Sequence, residues 1–288
     1  MDKNGPNPRT ASLIVICSVY IGAFFAGYFF FQLLTGFIPE IPALLAADCV
    51  ATVVVWVAGL AWHNVSVYDP YWSVAPPVIF IAWAVCKHSY TLPAAMLLTA
   101  TWYWGIRLTL NWAGTFKSLA HEDWRYTRYR ESLSPFRFQV VNFFGLNLFP
   151  TLIVFACMLP GFGILESTSP AGALTWAGFT MCIAAPTIQL IADSQIHGFR
   201  AEHPGRYCDI GLWKHGRHPN YFGEILMWWG VWTMYVSLEG FARHPLYILA
   251  PLAMTAMFLF ISIPMMERRQ LQNKPGYAEY RRRTRILI

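Results

Sequence analysis

Four groups of polar residues stand out because each lies in or beside an apolar stretch, where a polar group is costly. The densest runs from Gln189 to Glu224, QLIADSQIHGFRAEHPGRYCDIGLWKHGRHPNYFGE. Asp193 closes an apolar helix, and a loop carrying Arg200, Arg206, Lys214 and Arg217 is expected after it. Pro219 opens the next helix at a position that suits proline. Asn220 and Glu224 are four residues apart and share a face, with Tyr221 beside them. Arginine forks and a helix N-terminus both suit phosphate, and Tyr207 sits in the same loop. Ordinary basic loops with a capped helix would leave the same pattern. The second group is YDPYW, Tyr68 to Trp72, whose Asp69 is the only carboxylate between Asp48 and Glu122. Asp69 suits a buried functional acid, an N-cap before Pro70, or both.

The third group is TWYWGIRLTLNW, Thr101 to Trp112. Tyr103, Arg107 and Asn111 recur every four residues, so they line one helix face. That stripe belongs toward a bundle interior or water, although a belt tyrosine and a snorkelling arginine would read the same way. The fourth is the tail after Met266, MERRQLQNKPGYAEYRRRTRILI, which either closes over a cofactor or rests on anionic headgroups. His197, His203, His215 and His218 match no zinc spacing, so no metal is expected. The six cysteines form no CxxC and no disulfide framework. No GxGxxG or P-loop follows a strand pattern, so no soluble nucleotide fold is implied.

The elements that must position these groups are membrane helices. Of 288 residues, 56% are hydrophobic and 12% charged, about half the charge of a soluble domain. Aromatic residues reach 17%, which suits two interfacial belts. The polar, proline-broken MDKNGPNPR is followed by an apolar stretch too long for a signal peptide, read as a first permanent span. Eight spans are expected: Ser12–Phe37, Pro42–Trp62, Val74–Cys86, Thr91–Trp112, Gln139–Pro160, Ala171–Asp193, Tyr221–Ser237 and Pro245–Met266. Of 21 Lys and Arg, only Lys87, Arg107 and Arg243 fall outside the N-terminus, residues 113–138, residues 194–220 and the tail. Eight spans put those four segments on one side, which the positive-inside rule makes cytoplasmic, with both termini inside. The net charge of +6 is explained by that rule without nucleic acid. The fold class is an all-α integral membrane protein, a bundle of seven or eight helices with a cytoplasmic-side cofactor site. The charged and aromatic segment HEDWRYTRYRESLSPFR, His121 to Arg137, fits an amphipathic interfacial helix or a solvated connector.

In combination these residues resemble the steroid 5-alpha-reductase superfamily, in a bacterial branch of membrane proteins. The block Asp193–Glu224 carries the resemblance, ending in GLWKHGRHPNYFGE. The EDWRY motif (Glu122–Tyr126) and the tail YAEYRRRTRILI add to it. It covers about residues 60–288 of a single membrane domain, 1–288, with further helices before it. The resemblance implies an NADPH-dependent reductase that saturates a conjugated C=C bond of a lipid enone, a 3-oxo-4-ene steroid or similar, taken from the bilayer. It places Asp69, seven residues before Pro76 where the family usually has Glu, and Tyr103 at the ketone oxygen. The family's cofactor residues fall on Asp193, Arg200, Tyr207, Asn220 and Glu224. With Arg107, Asn111 and Tyr221 from the stripe and the helix start, these form the expected NADPH site. Cys208 replaces an arginine of the family, and its last-helix histidine has no match near Glu267. A bacterial inner membrane is the implied location.

Two other readings share parts of the pattern. Arg217-His218-Pro219-Asn220-Tyr221 also fits the RHPxY turn of isoprenylcysteine and phospholipid methyltransferases, which use S-adenosylmethionine. Those enzymes usually carry paired glutamates after the last span, where Glu267 here is followed by Arg268. A transporter would use an intramembrane Asp or Arg as an ion path, but no inverted repeat is visible.

Overall fold

The computed structural model describes residues 7–288, so Lys3 of the N-terminal basic segment lies outside it. The described residues form helices joined by loops, with no strand beyond one isolated bridge between Gly216 and Arg285. Ten helices follow one another: α1 (Pro8–Leu34), α2 (Glu40–Ala61), α3 (Tyr71–Cys86), α4 (Leu92–Thr115), α5 (Trp124–Ser132), α6 (Pro135–Glu166), α7 (Ala173–Glu202), α8 (Pro219–Glu239), α9 (Pro245–Asn273) and α10 (Tyr277–Arg283). By length and apolar composition, α1, α2, α6, α7 and α9 can each cross a bilayer. The chain is thus a multi-pass membrane protein. Of the remaining expected spans, α3 has 16 residues, α4 has 24 and α8 has 21.

One expectation is corrected. The apolar run ends at Asp193, but helix α7 continues to Glu202. SQIHGFRAE holds a lone Gly198, which a helix tolerates, and no proline until Pro204-Gly205, so the helix outlives its apolar face and carries Arg200 in its last turn. The segment from His121 forms helix α5, capped by Asp123, whose side chain accepts from the Arg125 N–H at 2.9 Å.

Helices α6 and α9 each contain a π-helical turn, Val141–Leu148 and Phe258–Ser262. Each ends two residues before a proline, Pro150 and Pro264. Proline lacks the N–H that the regular ladder needs, and a wider turn absorbs the mismatch. In α6 the Asn147 amide donates to the Asn142 carbonyl at 2.8 Å.

The described residues divide into two compact units. The first holds the chain up to Ala75 together with Thr109–Phe155. Here α1 and α2 meet through small residues: a Cβ on Gly27 would stand 3.1 Å from the Ala47 carbonyl oxygen. A buried polar cluster follows, with Tyr71 donating to Asp48 at 2.7 Å and Thr151 bonded to both Thr52 (2.8 Å) and Tyr68 (2.7 Å).

The second unit holds Pro76–Leu108 with Ala156–Ile288. Its centre is the α7–α8 pair. A Cβ on Gly178 would lie 2.8 Å from the Gly230 carbonyl oxygen, and one on Gly230 would lie 2.8 Å from that of Gly178. Farther along, a Cβ on Gly223 would meet the Ala185 carbonyl oxygen at 2.7 Å. Small residues let membrane helices approach closely, and this approach brings Gln189 and Asp193 of α7 against Asn220 and Glu224 of α8. Gly230→Leu is expected to destabilise the protein by about 2 kcal/mol or more through overpacking. Unfolding temperature in detergent checks this, with the open-sided Gly114→Leu as the control that stays near wild type.

Candidate functional site

The second unit contains a buried polar chain built from α4, α7 and α8. Arg107 of α4 is 6% exposed and Asp193 of α7 is 7% exposed. The Arg107 Nη2 donates to Asp193 Oδ2 in a short ion pair. Asn220 Nδ2 donates to the other Asp193 oxygen at 3.4 Å. Gln189 Nε2 then donates to the Asn220 carbonyl at 3.1 Å and to Glu224 Oε2 at 2.9 Å. Glu224, 2% exposed, also accepts from the indole N–H groups of Trp104 (2.9 Å) and Trp228 (3.1 Å).

Glu224 is fully engaged, whereas Arg107 is not. Its Nε and Nη1 are buried without a hydrogen-bond partner, and so is Gln189 Oε1. A buried donor left unmet costs about 1–3 kcal/mol, more when charged. Two open donors on a cation and one open acceptor within the same hydrogen-bonded network leave capacity for a polar ligand.

Four expected residues, Arg107, Asp193, Asn220 and Glu224, are therefore in one network. Tyr103, one turn before Arg107, bonds Thr187 of α7 at 3.1 Å, so the Tyr103–Arg107 stripe faces protein. Asn111 is half-buried one turn beyond Arg107. Tyr221 stacks on His218 with centroids 5.3 Å apart and packs on Phe258. Tyr207 stacks on Tyr280 of α10 at 5.0 Å. Arg200 lines a separate cavity with residues of the α9 end. Gln189, Trp104 and Trp228 were not expected here. Spacing is the signal for two of them: Gln189 precedes Asp193 by four residues, and Trp228 follows Glu224 by four.

The tail closes on the loop before α8. Glu267 accepts from Arg217 Nε at 2.7 Å, His218 Nε2 at 3.3 Å and Arg281 Nε at 2.9 Å. Arg217 also donates to the carbonyls of Arg281, at 2.8 Å, and Thr284. Backbone N–H groups of Arg217 and His218 donate to Arg285 and Ile286 carbonyls at 2.9 and 3.2 Å. The tail thus binds the protein itself.

In the first unit, YDPYW and EDWRY meet. Asp69 accepts a short hydrogen bond from the Tyr126 hydroxyl, and Arg125 Nη2 stands 3.7 Å away. Beside them Glu122 accepts from Arg130 at 2.8 Å and from the Val65 N–H at 2.9 Å. Pro70, not Asp69, supplies the carbonyl for the first turn of α3. Burial raises the Asp69 pKa from 3.8 to about 6, against the opposing pull of Arg125 and the Tyr126 bond. Among the described residues, no three His, Cys, Asp or Glu side chains converge to hold a metal ion.

The family model described as "Protein of unknown function (DUF1295)" matches residues 55–284. The chain belongs to that family. An uncharacterised protein of Schizosaccharomyces pombe is 22% identical over 202 residues, 61% of this chain. The match covers 58% of that relative's length. No solved structure matches.

Two outcomes are expected. Asp193→Ala, which leaves Arg107 buried and unpaired, should cost about 3–5 kcal/mol. The double variant Arg107→Met, Asp193→Leu should cost clearly less, and denaturant unfolding in mixed micelles separates them. For Asp69, the folded state keeps a proton that the unfolded chain sheds near pH 4. Stability should therefore fall between about pH 4 and pH 6. Asp69→Asn should flatten that part of the unfolding-temperature profile.

Proposed function

We propose that this chain is an NADPH-dependent membrane reductase of the steroid 5-alpha-reductase superfamily, which saturates a conjugated C=C bond in a lipid-soluble enone. The observation that carries the reading is the pair of open donors on buried Arg107 and the open acceptor of Gln189 in the same network. Donors and an acceptor together complement a carboxamide, which the nicotinamide end of the cofactor possesses. Asp193, itself held by Asn220, holds the Arg107 Nη2, and Glu224 locks Gln189 so that its acceptor oxygen stays free. The cofactor, when bound, supplies the hydride.

The reduction of an enone places negative charge on the carbonyl oxygen, and preset donors there lower the barrier. Tyr103, half-buried and one helical turn from Arg107, is our candidate for such a donor. Asp69 is the second catalytic candidate; burial raises its pKa to about 6, and the Tyr126 hydroxyl fixes its orientation. Eight membrane helices, α1 to α4 and α6 to α9, with both termini cytoplasmic, complete the proposal, in a bacterial inner membrane. On that topology the basic segments face the side where NADPH is found.

S-adenosylmethionine is the alternative ligand, because its carboxylate and ammonium would also suit an open cation and acceptor. The RHPNY turn favours it, but Glu267 is already held by Arg217, His218 and Arg281. Thermal shift of the detergent-purified protein distinguishes the two. A rise with NADPH that Arg107→Gln removes is the expected result; a rise with S-adenosylmethionine alone would establish the methyltransferase. Asp69→Ala and Tyr103→Phe should each lower enone turnover by about 100-fold, the scale of a lost oxyanion donor. Full activity in both would sink the catalytic assignments and leave the cofactor assignment standing.

A further inference from the structure

The proposed reduction leaves Asp48, an acid inside the spanning helix α2, without a task. It follows the first residue of that helix, Glu40, by eight positions, about 12 Å along the axis. Asp48 is 7% exposed. Among the described residues no cation pairs with it, and its hydrogen bond is the one it accepts from the Tyr71 hydroxyl at 2.7 Å. A carboxyl taken out of water without a cation is costly. A threonine or an amide would accept from a tyrosine at less cost, so packing alone does not account for an acid here. What a carboxylate adds is the stronger acceptor.

The turn that this bond secures carries Asp69, two residues before Tyr71. Three tyrosines fasten it to three helices. Tyr20 of α1 donates to the Val67 carbonyl at 2.7 Å, Tyr68 bonds Thr151 of α6 at 2.7 Å, and Tyr71 reaches Asp48 of α2. Asn64 closes the turn from within, accepting from the Ser66 N–H at 2.9 Å. Around the Tyr71 ring, Phe24 stacks at 6.0 Å and Tyr20 meets it edge-on at 5.6 Å. Two of the three tyrosine fastenings lie before Asp69 in the chain. Only the Tyr71–Asp48 bond lies after it, so Asp69 is bracketed by Thr151 on one side and Asp48 on the other.

We propose that Asp48 is a positioning residue, which through Tyr71 holds the turn that carries Asp69 and keeps the Asp69 carboxyl aligned. That role rests on the catalytic part given to Asp69 in the reductase reading. The titratable groups that face Asp69 are Arg125, Asp123 and Tyr126 at the start of α5, with Tyr20 of α1 and the adjacent Tyr68. Asp48 has no bond to Asp69 and acts through the backbone between Tyr71 and Asp69.

The test compares three variants of the full-length protein in phosphatidylcholine nanodiscs. Asp48→Asn keeps an acceptor for Tyr71 without the charge, Asp48→Leu removes the acceptor, and Tyr71→Phe removes only the hydroxyl and is expected to fold. Two quantities are read: enone turnover with NADPH, and the titration midpoint of the Asp69 carboxyl, followed by its infrared carbonyl band and assigned by the loss of that band in Asp69→Asn. Asp48→Leu and Tyr71→Phe should each lower kcat by about tenfold with KM roughly unchanged. Both should also move the Asp69 midpoint down from about 6, because a loosened turn readmits water. Asp48→Asn should restore both quantities, and the double variant Asp48→Leu, Tyr71→Phe should be no worse than either single one. A lower unfolding temperature with kcat and midpoint as in wild type makes Asp48 a packing residue and overturns the proposal. So does an Asp48→Asn variant that behaves like Asp48→Leu, which traces the effect to charge rather than to the bond. If the wild type reduces no enone with NADPH, the reductase reading falls, and the Asp69 midpoint alone decides whether Asp48 holds the turn.

Discussion

An arginine withdrawn from water must be held by a carboxylate, and most of the second unit can be understood from the Arg107–Asp193 pair. Taking both charges out of solvent costs several kcal/mol per ion, repaid only by close contact and further hydrogen bonds. Asp193 meets that demand with both oxygens, one to Arg107 and one to Asn220. This requires α4, α7 and α8 to approach closely. The reciprocal Gly178–Gly230 contact and the Gly223–Ala185 contact permit the approach of α7 and α8, since any larger side chain would force the backbones apart. The small residues and the charged ones therefore answer the same constraint from opposite ends.

The residual donors of Arg107 matter because the surrounding polar atoms are so well satisfied. Glu224 takes three donors, Gln189 Nε2 bridges two acceptors, and Tyr103 is bonded to Thr187. In such a network two silent N–H groups on a cation are not slack. They are the part of its hydrogen-bonding capacity that the protein itself leaves for another group.

Much of this site was legible in the sequence, because polar residues in an apolar chain are conspicuous. Arg107, Asp193, Asn220 and Glu224 stand out by type alone. Their pairing was not legible: Arg107 and Asp193 are 86 residues apart, and no local periodicity reports a contact at that range. Trp104 and Trp228 were hidden for a different reason. A tryptophan in a membrane helix reads as an interfacial belt residue, and only the structure reveals its N–H directed at a carboxylate. The end of α7 was misplaced because hydrophobicity marks where an apolar face stops, whereas backbone hydrogen bonding decides where a helix stops. The continuation matters, since it carries Arg200 onto a rigid element.

The tail illustrates how charge can be redirected by a single acid. Read as a sequence, RRRTRILI is a polybasic segment suited to lipid headgroups. In the fold, Glu267 gathers Arg217, His218 and Arg281 about one carboxylate, and the chain beyond it pairs with the backbone just before α8. The same turn that starts α8 therefore takes its support from the C-terminus. Asn220 and Glu224 follow within that helix's first turns, so their placement against Gln189 and Asp193 depends on where the turn is anchored. Glu267 thus anchors the start of α8 and the Gly230 contact seats its middle on α7, and the buried network lies between them.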